Sequence, residues 1–290
     1  MNLIQHLNKI YDTKSKPFLI YQNTELKFSD IINEQQINLD IVNPGDVVAL
    51  IGDFNALSIS TLLRLIDLKT IIVPLTIETK NTHDYFFESA LVDLVIDDGT
   101  VKRIKQKKRH SLIENLRQKS HAGLILFSTG TTGRPKAILH DMTLFLERFQ
   151  TPRPTLKMIN FLLFDHIGGI NTLLHTIFNR GVVVAPIDRN VDSILKTCAK
   201  YKVEVLPTTP TFLRLMLLSG SVPLKIPNCL KIITYGTERM DQSTLHALCN
   251  LLPNIDFRQT YGMSELGIVR VKSKARNSLY MKIGGEGVET

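Results

Sequence analysis

The chain has 290 residues, enough to bury a substantial core, and its 43% hydrophobic and 21% charged residues are ordinary for a globular protein. No apolar run reaches the length of a membrane span, and the three cysteines lack C-x-x-C spacing, which argues against a membrane protein, a zinc site and a disulfide framework. The formal net charge is +8, and we expect a cytoplasmic protein.

The first third of the chain alternates short apolar runs with helical patterns. Leu3, Ile4, Leu7 and Ile10 have helical spacing at the N-terminus. Beyond them, the patterns predict three buried strands (46–51, 71–75 and 93–97) and two helices (55–68 and 83–90). Strands that alternate with helices in this way imply βαβ units and a largely parallel sheet.

A basic run at residues 102–109 follows and carries part of the net charge. Such a run can dock nucleic acid, an anionic membrane or an anionic substrate tail, or it can form a solvated loop between two substructures. We favour the loop and expect no specific nucleic-acid partner, because no aromatic residues interleave the run to stack on bases. In the alternative, a polyanion-binding protein, Lys105, Lys107 and Lys108 would carry salt-dependent binding.

A second series of strands and helices fills the rest of the chain. The predicted strands are 123–127, 157–162, 182–185, 203–206, 231–234 and 256–259, and the predicted helices are 169–179, 192–201, 211–218 and 241–251. The fold class is therefore α/β, a two-lobed core with largely parallel sheets flanked by helices. We expect the sub-lobes at roughly 1–110 and 121–290.

A loop rich in glycine and hydroxyl residues follows the strand 123–127 directly. It consists of Ser128, Thr129, Gly130, Thr131, Thr132, Gly133, Arg134, Pro135 and Lys136. The glycines let backbone N–H groups converge on an anion, the hydroxyls add donors to phosphate oxygens, and Lys136 supplies a mobile positive charge. It is not a Walker A loop, because Lys136 does not follow Gly133 directly. A plain surface turn is the alternative, but a turn needs only two to four such residues.

This loop resembles the signature of the adenylate-forming (AMP-dependent synthetase/ligase) superfamily, which includes acyl- and aryl-CoA synthetases, nonribosomal-peptide adenylation domains and luciferases. In that family the loop closes with Gly-x-Pro-Lys, and FSTGTTGRPK at 127–136 has each defining residue. The resemblance spans nearly the whole chain. It implies that residues 1–290 form the N-terminal ATP-binding adenylation core, with ATP and Mg²⁺ as cofactors and a carboxylic acid as substrate.

Two later segments are similar to family elements that border the acid. In the segment 164–169, the resemblance implies that His166 lines the acid pocket; a helix-capping or core histidine is the alternative. The segment 205–212 is similar to the passage from strand to helix beneath the substrate channel. The pairs Asp165–His166 and His140–Asp141 are poor metal-hydrolase motifs, because no further ligands cluster near them in the sequence.

A turn after the strand 231–234 is similar to the family's adenine turn. It consists of Tyr235, Gly236, Thr237 and Glu238. A glycine there lets the backbone approach a flat base closely. By resemblance, Gly236, Thr237 and Glu238 contact ATP, and Tyr235 and Gly236 also border the acid. Thr237 departs from the family, where a smaller residue is commoner.

The last motif resembles the family's Tyr-Gly-x-Thr-Glu. It lies in the ATP-binding segment of Gln259, Thr260, Tyr261, Gly262, Met263, Ser264 and Glu265. The resemblance implies that Tyr261 packs near adenine and ribose, that Ser264 donates to the α-phosphate, and that Glu265 holds Mg²⁺, which prefers carboxylate and phosphate oxygens. A nucleophile elbow is set aside, because the second glycine of G-x-S-x-G is missing.

The implied reaction is attack of a carboxylate on the α-phosphorus of ATP, followed by acyl transfer to coenzyme A or to a carrier-protein phosphopantetheine. The attacking oxygen is already ionised near neutral pH, so Lys136, Ser264 and Glu265 are expected to catalyse by positioning and charge neutralisation. Family members continue into a mobile C-terminal lid domain with a catalytic lysine, which is missing from these residues. The alternative function is therefore a truncated, non-catalytic module that binds nucleotide or acyl-adenylate.

Overall fold

The computed structural model describes residues 2–11, 16–34, 37–104, 108, 110–128, 133–151, 153–154 and 156–284. The strands of this part are, in chain order, β1 (Leu19–Tyr21), β2 (Thr24–Leu26), β3 (Val47–Ile51), β4 (Ile71–Leu75), β5 (Leu94–Asp97), β6 (Thr100–Arg103), β7 (Gly123–Ser128), β8 (Lys136–Asp141), β9 (Met158–Ile159), β10 (Val183–Val184), β11 (Val205–Thr208), β12 (Ile232–Tyr235), β13 (Asp256–Gln259), β14 (Tyr261–Met263), β15 (Gly267–Val269), β16 (Val271–Ser273) and β17 (Met281–Ile283).

The helices of the same part pack around these strands. They are α1 (Leu3–Tyr11), α2 (Phe28–Glu34), α3 (Ala56–Asp67), α4 (His83–Ala90), α5 (Ser111–Gln118), α6 (Met142–Glu147), α7 (Ile167–Phe178), α8 (Val191–Tyr201), α9 (Pro210–Leu218) and α10 (Gln242–Leu251), with a short 3-10 helix at Ile77–Thr82. Among the described residues, none of the helices combines the length and the apolar character needed to cross a bilayer.

The first sheet has the strand order β6-β5-β3-β4-β7-β8. Its four central strands are parallel, and the edge strands β6 and β8 run antiparallel to their neighbours. Each residue of β4 is buried, as expected for a parallel strand covered on both faces. In contrast, β8 is mostly exposed or half-buried, and its register places Lys136 opposite Ser128 of β7.

The second sheet has the strand order β13-β12-β11-β9-β10-β1-β2. It is parallel except at the β1–β2 edge, where a hairpin closes it. The two remaining hairpins are β14–β15 and β16–β17. The expected α/β class with largely parallel sheets flanked by helices is therefore confirmed.

The two sheets share one buried core. It joins Leu124 of the first sheet to Val183 of the second, with Leu173 of α7 in the same cluster. At the surface, Arg189, which follows β10, donates to both carboxylate oxygens of Asp53, which follows β3, at 3.0 and 2.9 Å. A bidentate pair of this kind fixes direction as well as distance, and it links the segment after β3 to the segment after β10.

The division into sub-lobes 1–110 and 121–290 differs from the sheets observed. Strands β7 and β8 belong to the first sheet, while β1 and β2 belong to the second. In the basic run, Lys102 and Arg103 lie in β6 and pair with β5, while Lys105, Gln106, Lys107 and Arg109 lie outside the described residues. The sequence patterns predicted individual strands, but pairing is set by contacts between distant residues, which those patterns do not contain.

Helix boundaries agree closely with the predicted ones, because polar caps mark them. Asn55 begins α3 by accepting a hydrogen bond from Ser58 N at 2.8 Å, and Asp241 begins α10 in the same way with Thr244 N at 2.7 Å. The predicted strand 157–162 is shorter than expected. Strand β9 contains Met158 and Ile159 alone, although the N–H of Asn160 still donates to Val184 O.

Candidate active site

A cavity of about 420 Å³ opens where the carboxyl ends of β7, β11 and β12 meet the β14–β15 hairpin. Its wall contains ten of the residues singled out in the sequence, namely Ser128, Lys136, His166, Gly236, Thr237, Thr260, Gly262, Met263, Ser264 and Glu265. Ligands of open α/β sheets bind beyond the carboxyl ends of the strands, so the location suits a substrate site. The residues Thr129, Gly130, Thr131 and Thr132 lie outside the described part of the chain.

Lys136 projects from the first position of β8. It is exposed, and among the described residues it forms no ion pair, so its charge is available to a ligand. The end of the loop before it is fixed by α4, because the Tyr85 hydroxyl donates to the carbonyl of Pro135 at 2.7 Å. The guanidinium of Arg134 lies 5.8 Å from the Tyr85 ring centroid. No motif in the sequence indicated a role for Tyr85, since it lies in an ordinary amphipathic helix.

The turn of the β14–β15 hairpin presents Ser264 and Glu265 to the cavity. His140 of β8 holds this turn, because its Nε2–H donates to the backbone carbonyl of Ser264. Burial lowers the pKa of His140, and the bond to Ser264 offsets part of that effect. One hydrogen bond thus ties the strand that carries Lys136 to the turn that carries Glu265.

The turn after β12 is held in an uncommon backbone conformation. A Cβ at Gly236 would lie 2.8 Å from the carbonyl oxygen of Thr260, so only glycine allows this approach. Thr237 has a φ of +70°, a left-handed conformation that is costly for a β-branched residue. Such strain persists where the surrounding structure demands it, most often at functional sites. Thr237 stands where the family more often has a smaller residue, and it lines the cavity in this left-handed conformation.

Five described residues that were predicted to contact ATP or the acid lie off the cavity wall, and the first of them is Gly133. The Tyr235 side chain is 2% exposed and packs in the core of the second sheet, so any contact with an acid would come from its backbone. Glu238 accepts hydrogen bonds from the N–H and the hydroxyl of Thr211. Gln259 lies in β13, and Tyr261 is 37% exposed on β14. Strand alternation explains the position of Tyr235, because neighbouring side chains point to opposite faces.

His166 caps a helix and also lies on the cavity wall. Its Nδ1 accepts a hydrogen bond from Gly168 N at 2.9 Å and so caps α7, and the residue also lines the cavity. Burial lowers the pKa of His166, which favours the neutral ring at physiological pH. The cap requires an unprotonated Nδ1, so Nε2 carries the hydrogen and can donate to a bound carboxylate.

Asp165, next to His166, is a half-buried carboxyl group close to Thr76, which follows β4. The Thr76 hydroxyl donates to its Oδ2 at 3.0 Å. Burial raises the pKa of Asp165, the hydrogen bond from Thr76 offsets part of that effect, and the charges of Glu78 and Asp53 add to it.

Replacing Asp165 with asparagine is expected to raise the melting temperature at pH 7. The folded state binds the Asp165 proton more tightly than the unfolded chain does, so the ionised carboxylate lowers the free energy of unfolding above the ordinary pKa of 3.8. Asparagine removes the charge and keeps an acceptor for Thr76. Thermal unfolding at several pH values should show the gain shrinking as the pH falls toward 4, and a melting temperature below that of the wild type at pH 7 would contradict it.

One carboxylate on the cavity wall suits a magnesium ion that is shared with phosphates. Among the described residues no group of three or more His, Cys, Asp or Glu side chains could hold a metal alone. Glu265 is exposed and lines the cavity together with Lys136. Magnesium in nucleotide sites takes one or two carboxylates and completes its shell with phosphate oxygens and water. Glu265 therefore fits the protein ligand of Mg²⁺·ATP.

Sequence comparison places the chain among known enzymes. The sequence model of the family described as AMP-binding enzyme matches residues 43–285. The chain is 24% identical over 178 residues to 4-coumarate–CoA ligase-like 3 of Oryza sativa, covering 55% of this chain and 30% of that protein. It is 26% identical over 176 residues to acyl-CoA synthetase 7 of Caenorhabditis elegans, covering 53% and 33%. The matched segment thus spans about a third of these relatives.

Solved structures share the fold over most of the chain. The N-terminal subdomain of NpsA from Klebsiella oxytoca, in complex with 3-hydroxyanthranilyl-AMSN, has a TM-score of 0.74 at 12% identity, covering 97% of this chain and 74% of that one. The N-terminal domain of FACL13 from Mycobacterium tuberculosis has a TM-score of 0.70 at 12% identity, covering 91% and 76%. At these identities the likeness shows the fold alone. Together with the family match, it shows that the chain belongs to the AMP-binding enzyme family and has the fold of the N-terminal domain of adenylate-forming enzymes.

Proposed function

We propose that this chain binds Mg²⁺·ATP and a carboxylic acid and forms the acyl-adenylate. The observation that supports this most is that Lys136 and Glu265, far apart in sequence, line one cavity at the carboxyl ends of the strands. A cation and a magnesium-binding carboxylate in one cavity suit a triphosphate, whereas either alone is common on a surface.

The proposed chemistry needs charge neutralisation more than proton transfer. A carboxylate oxygen bonds to the α-phosphorus of ATP, the bond from that phosphorus to the bridging oxygen breaks, and pyrophosphate leaves with the electron pair. The carboxylate is ionised near neutral pH, so no general base is required. Lys136 and the Ser264 hydroxyl would hold the phosphate oxygens, and Mg²⁺ held by Glu265 would supply further neutralising charge.

A buried hydroxyl on the cavity wall supports a polar ligand. Thr208 is 1% exposed and lines the cavity, and its Oγ1 has no hydrogen-bond partner among the described residues. An unpaired buried hydroxyl costs about 1–3 kcal/mol, which a ligand that bonds to it would recover. We assign this hydroxyl, with the backbone at Gly236 and Thr237, to the nucleotide.

His166 and the start of α7 form the remaining wall, which we assign to the acid. The His166 ring and the backbone at Gly168 lie beside Leu162 and Ile167, so the wall combines one donor with apolar surface. A carboxylic acid with an apolar body suits such a wall. The acyl group would then pass to a thiol, either coenzyme A or a carrier-protein phosphopantetheine. The names of the two relatives support coenzyme A.

Exchange of labelled pyrophosphate into ATP tests this proposal directly. We expect exchange that depends on Mg²⁺ and on one group of acids within a panel of aliphatic, aromatic and amino acids. Thermal shift with ATP and each acid identifies the same group, because a ligand that binds only the folded state raises the melting temperature. ATP binding without exchange for any acid would indicate the non-catalytic module, and absence of ATP binding would refute both.

A further inference from the structure

A second, larger groove adjoins the candidate active site. Its volume is about 980 Å³, and Ile268 of β15 lines both the groove and the site. The groove lies between the end of α6, one side of α7 and the strands β15 and β16. The two openings therefore share a wall, so a molecule in the groove would lie next to the proposed reaction centre.

The rim of the groove is positively charged. Arg148, Arg153 and Arg270 line it, and Glu147 is the acidic residue in its lining. In the described part of the chain, no carboxylate lies within ion-pair distance, 4.0 Å, of these three guanidinium groups. Several other arginines of the described chain pair with carboxylates, as Arg189 does with Asp53 and Arg117 with Asp93. Three guanidinium groups without a counter-ion around one groove create a site for an anion.

The floor of the groove is polar although it comes from an apolar helix. Ten of the twelve residues of α7 are buried, and the two that are not, Asn171 and His175, both line the groove. The Asn179 amide lies 3.4 Å from His175 Nδ1 and can donate to it, which leaves the hydrogen on Nε2. Burial, together with the charge of Arg153, lowers the pKa of His175, so the ring is a neutral donor.

One wall of the groove is apolar. Its aliphatic side chains come from residues 266–271, and its aromatic side chain follows α6. These residues are Leu266, Ile268, Val269, Val271 and Phe149. Arg148 covers the adjoining hairpin, since its Nη1 lies 3.4 Å from Ile268 O. A small inorganic anion would contact the arginine side chains of the rim and leave the apolar wall exposed to water. The lining therefore suits a larger ligand whose apolar part covers that wall.

We propose that the groove binds an organic anion that has an apolar body and carries its charge as carboxylate or phosphate groups. Arg153 and Arg270 would pair with the anionic group, Asn171 and His175 would donate to it, and the aliphatic wall would cover the body. Two sources share this chemistry: a second acidic group on the acid substrate, and the phosphate of the thiol acceptor. These roles rest on the proposed function, whereas binding of the anion does not.

Calorimetric titration of the 290-residue chain tests the groove, with decanedioate and coenzyme A as separate probes and with Mg²⁺·ATP as a third titrant. The test variant is Arg153→Gln with Arg270→Gln, because both side chains are exposed and form no hydrogen bond or ion pair with the described residues. The hydrogen bonds at these two positions involve the backbone. The matched control is Lys102→Gln with Lys119→Gln, which removes two exposed charges away from the groove. Salt of about 0.15 M screens non-specific attraction.

We expect the arginine variant to lose at least about tenfold in affinity for one of the two probes, since hydrogen bonds between charged groups are the strong ones. The control should bind that probe as the wild type does, and both variants should keep the wild-type affinity for Mg²⁺·ATP. If the arginine variant loses affinity for decanedioate alone, the groove binds a second acidic group of the acid substrate. If it loses affinity for coenzyme A alone, the groove binds the phosphate of the thiol acceptor. Failure of both probes to bind, or an equal loss in the control, overturns the proposal even where ATP binding is intact.

Discussion

Replacing Lys136 with alanine is expected to weaken Mg²⁺·ATP binding by about 10- to 100-fold, the range for loss of one hydrogen bond between charged groups. The melting temperature of the free protein should hardly change, because the side chain is exposed and forms no ion pair with the described residues. Calorimetric titration gives the affinity, and thermal unfolding without nucleotide gives the stability. The combination separates a ligand contact from a structural one.

Glu265→Gln complements this test, because it keeps the size of the side chain and removes its charge. If Glu265 holds Mg²⁺, the variant should lose affinity for Mg²⁺·ATP and lose little affinity for ATP measured with a chelator. Lys119→Ala is the control for Lys136, since it removes an exposed lysine far from the cavity. Normal Mg²⁺·ATP affinity in both site variants would remove the basis of the proposed nucleotide site.

Much of the site could be predicted from the sequence, because the carboxyl ends of parallel strands lie at one edge of a sheet. The loop after β7, the turn after β12 and the hairpin after β13 each follow a strand that the apolar pattern identified. Once the strands are parallel, the segments that follow them lie at one edge. The family resemblance implied that Lys136, Gly236 and Ser264 contact one nucleotide, and these three residues line one cavity.

The supporting contacts were not open to prediction, because each depends on a distant partner. His140 looked like half of a weak His-Asp motif, yet its Nε2 donates to Ser264, 124 positions away in the sequence. Tyr85 lies in a predicted helix, and only the fold brings its hydroxyl to Pro135. Pairing partners and strand register come from tertiary contacts, and neither periodicity nor composition contains them.

The side chains that lie off the cavity wall show a further limit of prediction from the sequence. A motif identifies a stretch of backbone, but alternation along a strand decides which of its side chains point to the ligand. Tyr235 ends β12 with its ring in the core, and Gly236 follows at the cavity wall. The positive φ of Thr237 was equally hidden, because threonine is not a residue that predicts a left-handed turn.

Gly169→Ala is expected to cost the most stability of the single substitutions considered, about 3 kcal/mol, the upper end of the usual range for overpacking. A Cβ at Gly169 would overlap the carbonyl oxygen of Leu163 and lie 2.9 Å from that of Leu162. Both obstacles are backbone, so no side chain can move aside. The first turn of α7 would have to shift, and His166, which caps that turn, would shift with it.

Gly220→Ala provides the matched control for this substitution. Gly220 has a φ of +66°, so alanine there pays the left-handed strain of about 1–2 kcal/mol, but nothing lies within 4 Å of the added Cβ. Urea unfolding should therefore show a clearly larger loss for Gly169→Ala, and the folded fraction should also bind the acid identified by exchange more weakly. Equal losses in the two variants would mean that α7 can move away from Leu163, and the start of α7 would then not be a rigid wall for the substrate.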